Sequence, residues 1–185
     1  MPFRVGVFCG SQSGNDVRYI DAAILTAGAI VERGMGVVYG GGRVGLMGVL
    51  ADSALAAGGE VIGVIPQALS GREIAHDGLS ELHVVDSMHE RKALMADLSD
   101  AFIALPGGYG TMDEFCEIPT WAQLRIHNKP VGLLNAFGYY DDLIALFDRM
   151  VGEGFVTPRN RLLVYSAGTP EELLGILLSA SASTT

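Results

Sequence analysis

The chain has 185 residues, 49% of them hydrophobic and 18% charged, and its 12 basic and 21 acidic residues give a formal net charge of −9. That length is one domain with a sizeable core, and the composition is globular rather than disordered. The acidic balance excludes a general attraction to nucleic acid or to an anionic membrane surface. No apolar run approaches the ~18 residues of a membrane span, and Met1-Pro2-Phe3-Arg4 runs straight into a strand-like segment, so neither a membrane anchor nor a secretory leader is expected. Cys9 and Cys116 fit neither a disulfide framework nor CxxC metal spacing, so a cytoplasmic protein is expected. Lys92 and Lys129 are the only lysines, so an anionic ligand must be held by a local device and not by the overall field.

Short β-rich runs alternate with longer helical patterns. Residues 5–9 read as the first strand, followed by the turn cluster Gly10-Ser11-Gln12-Ser13-Gly14. Ile20, Ala23, Ile24, Ala27, Ile30 and Val31 then recur at helical spacing, predicting an amphipathic helix over 16–33. A strand at 37–39 runs into Gly40-Gly41-Gly42-Arg43-Val44-Gly45 and a helix over 46–57. Further strands are predicted at 61–65, 82–85, 102–105, 131–134 and 162–165, with helices over 88–98, 111–124 and 141–153. The last helix opens at Thr169-Pro170-Glu171-Glu172, where threonine caps, proline takes the first turn and Glu172 closes a capping box. The small, polar stretch 179–185 is expected to fray, leaving one domain over 1–178. This alternation predicts a single-domain α/β fold, a doubly wound and mainly parallel sheet with helices on both faces. In such a sheet, ligands sit beyond the carboxyl ends of the strands, where the strand order reverses.

Three loops at that edge are rich in glycine: 10–14, 40–45 and Pro106-Gly107-Gly108-Tyr109-Gly110. Glycine lets backbone N–H groups approach a ligand, and a following helix N-terminus adds partial positive charge, which together suit a phosphate. Gly40, Gly42 and Gly45 satisfy G-x-G-x-x-G, but the next strand ends Ile65-Pro66-Gln67 without the acidic residue that would bind a ribose. No P-loop motif is present, and His89-Glu90 is not followed by the second histidine of H-E-x-x-H, so no metal is expected. Arg91-Lys92 is either a solvated helix pair or a positive pair beside the ligand edge. Thr111-Met112-Asp113-Glu114 has capping-box spacing, and Glu114 is alternatively a carboxylate at the mouth of a phosphate loop.

The run Pro106-Gly107-Gly108-Tyr109-Gly110-Thr111-Met112-Asp113-Glu114 resembles the PGGxGTxxE motif of the LONELY GUY family, whose relatives often carry the older label "possible lysine decarboxylase". Supporting matches run in family order over nearly the whole chain: Gly40-Gly41-Gly42 with Gly45-Leu46-Met47-Gly48, Met88-His89-Glu90-Arg91-Lys92, Ser99-Asp100-Ala101-Phe102-Ile103-Ala104-Leu105 and Thr120-Trp121-Ala122-Gln123-Leu124. The resemblance implies a Rossmann-like fold, a homodimer with active sites near the subunit interface, and neither metal nor cofactor. The implied reaction converts an N6-substituted adenosine 5′-monophosphate to free base and ribose 5-phosphate, with a small nucleoside monophosphate as partner and no nucleic acid or membrane.

Arg91 and Glu114 match the family's catalytic pair. Gly107, Gly108, Tyr109, Gly110 and Thr111, with Met112 and Asp113, match the phosphate loop and its continuation. Glu73, Lys92 and Thr120 match further substrate contacts, and Ser11, Gly41 and Gly42 in the other glycine-rich loops complete the expected set. Three positions depart from the pattern: Asp113 stands where glutamate is commoner, Arg125 replaces a common glycine, and Pro119 is expected to kink the helix before Thr120. A pyridoxal-dependent decarboxylase would need a lysine in a cofactor setting, which neither lysine shows. Two rivals remain at this stage, a general AMP nucleosidase and a non-catalytic nucleotide or cofactor carrier on the same fold.

Overall fold

A computed structural model describes residues 2–70 and 75–183. In chain order the elements are β1 (Arg4–Phe8), α1 (Arg18–Val31), β2 (Gly36–Tyr39), α2 (Gly45–Ala56), β3 (Val61–Pro66), α3 (Gln67–Ser70), β4 (Glu81–Val85) and α4 (Met88–Leu98). Then follow β5 (Ala101–Ala104), α5 (Tyr109–Gln123), β6 (Val131–Leu134), α6 (Asp141–Gly152), α7 (Pro158–Arg161), β7 (Val164–Ala167) and α8 (Pro170–Ala182). The seven strands form one sheet in the order β4-β3-β2-β1-β5-β6-β7, and every pairing is parallel.

The apolar strand runs explain this sheet, because both faces are covered and successive side chains feed opposite layers. On one face Val5, Val7, Val37, Tyr39, Ile103 and Leu105 pack against Ala23, Ala27 and Ile30 of α1, Leu50 and Ala54 of α2, and Leu173 and Leu177 of α8. On the other, Phe8, Val38, Val64, Phe102 and Leu133 meet Met95 of α4 and Phe115 and Ile118 of α5. From β1 the chain builds outward through β2, β3 and β4, then returns across β1 to lay down β5. The switch point therefore lies between β1 and β5, and the loops after these two strands face each other there.

Three local expectations change. The last strand begins at Val164, two residues later than predicted, because Thr157 caps a short helix by accepting the Asn160 N–H at 3.2 Å and Pro158 starts its first turn. Helix α8 continues to Ala182, into the stretch expected to fray, and the Ser179 hydroxyl is satisfied by donating to the Gly175 carbonyl at 2.9 Å. Helix α5 starts at Tyr109 with Gly108 as its N-cap, so Thr111 is not the cap and the Thr111–Glu114 capping box does not form. Helix α4 does carry a side-chain cap, where Ser87 accepts the Glu90 N–H at 3.2 Å while the Glu90 carboxylate accepts the N–H of the preceding Asp86 at 2.9 Å. Pro119 lies inside α5, which runs on through it to Gln123.

Candidate active site

The loop after β5 turns directly into α5 without a side-chain cap, which leaves the first N–H groups of a 15-residue helix to any anion placed there. Glycine is required at the turn. A Cβ at Gly107 would run into the Thr111 side chain, which is buried beneath it. Gly10, on the β1 side of the switch point, donates its N–H to the Pro106 carbonyl at 3.3 Å and so holds the two loops together.

Arg91 approaches this place from α4. Its Nε donates to the Val64 carbonyl at 3.1 Å and its Nη2 to the Gly40 carbonyl at 3.0 Å. The guanidinium is thereby laid across the carboxyl ends of β2 and β3, and the residue is only 6% exposed. Gly40 makes this possible, since a Cβ there would collide with Nη2. Nη1 is 3.6 Å from Glu114 Oε1, and the two side chains are 8% and 11% exposed. That separation exceeds the ~2.7–2.9 Å of a tight charge-assisted bond, so the pair is close without being locked. Burying two charges costs several kcal/mol each before pairing, and this pair sits in a cleft, which makes it the candidate centre of the site.

Arg91 and Glu114 line a cavity of about 200 Å³ together with Ser11, Thr111 and the 108–110 backbone. Cys9, Gly10 and Met47 complete its wall; Gly10 belongs to the first glycine-rich loop and Met47 to the Gly45–Gly48 match, but none of the three is among the expected contacts. For Cys9 the only sequence signal is its position at the end of the first strand. Burial pushes the Cys9 thiol pKa up, and Glu114 adds to the effect while Arg91 opposes it, so the floor of the cavity is a neutral thiol. A second cavity of about 270 Å³, walled by Tyr19, Tyr139 and the 10–14 loop, shares Gly10, Ser11 and Gly108 with the first. The two form one cleft astride the switch point, of a size suited to a small molecule.

The remaining expected contacts lie around this centre. Lys92 does not line the cavity; its Nζ sits 3.3 Å from both Asp113 and Glu117, tying α4 to α5. Burial works to lower the Lys92 pKa, and the hydrogen bonds it donates to these two carboxylates outweigh it and raise the pKa. Met112 packs against the core layer under α5. The backbone of Gly41 and Gly42 secures the segment that precedes β4, through the His76 N–H on the Gly41 carbonyl at 3.1 Å and a bridge from Gly42 to Ala75. Thr120 opens instead onto an apolar groove between α5, α6 and α7, lined by Phe147, Met150 and Val156. Glu73 lies outside the described residues. Among the described residues no cluster of histidine, cysteine and carboxylate side chains could hold a metal ion, and no helix is long and apolar enough to cross a membrane.

Neither lysine is set up to carry a Schiff base. Lys92 is held between two carboxylates, and Lys129 caps α4 at the opposite sheet edge, donating to the Ala96 carbonyl at 2.7 Å.

Known proteins similar to this chain identify its family. Residues 47–177 match the family model described as "Possible lysine decarboxylase". The chain is 55% identical over 171 residues to the protein named probable cytokinin riboside 5′-monophosphate phosphoribohydrolase LOGL1 from Oryza sativa subsp. japonica, covering 92% of this chain and 77% of that one. It is 52% identical to cytokinin riboside 5′-monophosphate phosphoribohydrolase LOG1 from Arabidopsis thaliana, covering 92% and 80%. Among solved structures, the molybdenum cofactor carrier protein of Chlamydomonas reinhardtii superposes with a TM-score of 0.72 at 21% identity, over 98% of this chain and 99% of that one. At that identity the likeness shows the fold alone, whereas the family match spans residues 47–177, a stretch that includes Arg91 and Glu114. The chain belongs to the LONELY GUY family, the "possible lysine decarboxylase" family whose named members are cytokinin riboside 5′-monophosphate phosphoribohydrolases.

Proposed function

We propose that this protein is a hydrolase of N-glycosyl bonds, cleaving N6-substituted adenosine 5′-monophosphates, the cytokinin riboside 5′-monophosphates, to free base and ribose 5-phosphate, and that it also cleaves AMP. The observation that carries this reading is the buried Arg91–Glu114 pair beside the uncapped start of α5. Backbone amides of 108–111 hold the 5′-phosphate, so binding energy remote from the reacting carbon positions the bond to be broken. As the bond from C1′ to the purine nitrogen breaks, its electron pair leaves with the base and positive charge spreads over the ribose ring. The Glu114 carboxylate stabilises that charge, more in the transition state than in the ground state. With the phosphate served by amides, the Arg91 guanidinium serves the departing purine. Water adds to C1′, its hydroxyl stays on the sugar, and its proton balances the base.

The active form is a homodimer. Helix α6 has no buried residue in the single chain, and Leu124, Phe155 and Leu162, chain neighbours of the groove-lining Gln123, Val156 and Arg161, are all more than 60% exposed. A second copy covering this face would bring Thr120 into a shared site. The two unpaired cysteines suit a reducing cytoplasm, and residues 1–178 act as one catalytic domain.

Incubation with AMP and with isopentenyladenosine monophosphate, with base and ribose 5-phosphate quantified, tests the activity. Equal amounts of the two products are expected from both substrates. The preference for the substituted one should be about 10- to 200-fold, since apolar pockets discriminate modestly. Binding of either nucleotide with neither cleaved would mean a carrier and overturn the proposal.

A further inference from the structure

The connection from β6 to α6 sets two consecutive tyrosines against the glycine loop. Tyr139 donates its hydroxyl to the Gly107 carbonyl at 2.6 Å, and Tyr140 donates to the Leu105 carbonyl at 2.5 Å. The neighbouring carbonyls are also occupied. Pro106 O accepts the Gly10 N–H at 3.3 Å and Gly108 O the Met112 N–H at 3.1 Å. Four successive carbonyls, 105 to 108, therefore each have a donor, and two of those donors are tyrosines from a different loop.

The peptide plane gives this arrangement a consequence. In a trans peptide the carbonyl and the following N–H point opposite ways, and the chain contains no cis bond among the described residues. Tying the Gly107 carbonyl to Tyr139 thus aims the Gly108 N–H away from the tyrosine. A carbonyl released from its donor could instead turn its partial negative charge toward a bound anion.

The tyrosines are themselves held in place. The Asn135 side chain accepts the Tyr140 N–H at 2.7 Å and donates to Asp141 at 2.8 Å. Between them the chain makes a tight turn, with Phe137 and Gly138 in the left-handed region at φ 57° and 73°. For a phenylalanine that conformation is strained, and strain of this kind persists only where the surroundings enforce it. The Tyr139 ring is fixed edge-on by Tyr140 at 4.9 Å and by Tyr19 at 5.6 Å. Burial pushes the Tyr140 phenol pKa up, so it remains a neutral O–H donor.

We infer that Tyr139 and Tyr140 are positioning residues. Tyr139 holds the Gly107 carbonyl outward so that the Gly108 N–H and the start of α5 meet the 5′-phosphate, and Tyr140, on the Leu105 carbonyl ahead of Pro106, which has no N–H to aim, anchors the base of the same loop. This rests on the reading above that the loop binds phosphate, and it adds a second loop, from the far side of β5, to the machinery of the site.

The test pairs calorimetry with kinetics on wild type, Tyr139→Phe and Tyr140→Phe. Tyr139 is 42% exposed and phenylalanine keeps its ring, so this variant removes one hydroxyl without emptying the core. Losing one such hydrogen bond should weaken ribose 5-phosphate binding about three- to tenfold and raise KM for AMP by the same factor. Adenine affinity should stay unchanged in Tyr139→Phe, whose Tm should fall by no more than about 2–4 °C, and Tyr140→Phe should weaken ribose 5-phosphate in the same direction. Wild-type affinity for ribose 5-phosphate in both variants, or an equal loss for adenine, overturns the inference. If wild type binds ribose 5-phosphate but leaves AMP intact, the proposed activity fails while the clamp is still measured. If wild type binds no ribose 5-phosphate, the clamp falls.

Discussion

Arg91 Nη1 stands 3.6 Å from Glu114 Oε1, the guanidinium secured by two backbone carbonyls and the carboxylate carried on the second turn of α5. Because Nε and Nη2 are committed to Val64 and Gly40, Nη1 is the nitrogen turned toward Glu114. The sheet itself thus fixes the orientation of the cation.

Gly40 follows as a determinant of activity. Gly40→Ala forces the guanidinium out of its seat, since the new methyl would occupy the place of Nη2. We expect kcat to fall at least about tenfold, one transition-state interaction being worth a kcal/mol or more. Circular dichroism should show a folded protein, and steady-state kinetics on AMP makes the measurement.

The exposed apolar rim of the Thr120 groove predicts the assembly. Light scattering on eluting protein should give twice the 19.5 kDa chain mass. Phe155, 85% exposed in the single chain, is the residue to change, and Phe155→Asp should return the mass to one chain. A wild-type monomer with full activity would contradict the shared site.

The Arg4–Glu60 pair predicts an acid limb of stability. Arg4 grips both Glu60 oxygens, at 2.8 and 2.9 Å, and this hydrogen bonding holds the Glu60 pKa below its ordinary value. A carboxylate with a depressed folded pKa stabilises above its unfolded value, about 4.3, and loses that contribution as pH falls through the folded value. Glu60 is one-third exposed, so solvent screening limits the effect to about 1 kcal/mol or less. Denaturant unfolding of wild type and Glu60→Gln should show a constant gap between about pH 5 and 8 that closes below about pH 4.

Much of this was legible in the chain. The inner strands are short, mostly apolar runs, and each of the seven lies within two residues of its predicted place. The glycine loop was legible as a tight turn at the carboxyl edge of the sheet, since a Cβ at Gly107 would run into the Thr111 side chain, whereas the space beside Gly108 is open. The seat of Arg91 was not legible. Its partners Val64 and Gly40 are 27 and 51 positions away and offer only carbonyls, which carry no sequence signature. The capping-box reading of Thr111 failed because Gly108 opens the helix sooner and leaves its amides uncapped, an arrangement that suits ligand binding better than helix stability. Tyr139 and Tyr140 gave no periodic signal, being two aromatics on a loop that only the fold carries to the cleft.

The central claim is that the Glu114 carboxylate stabilises a ribosyl cation, and single-turnover hydrolysis of AMP by Glu114→Gln tests it most directly. The amide keeps the shape and removes the charge, so AMP affinity should hold within a few-fold while the chemical step slows by about a hundredfold or more. A folded Glu114→Gln protein that turns AMP over at the wild-type rate would contradict the account.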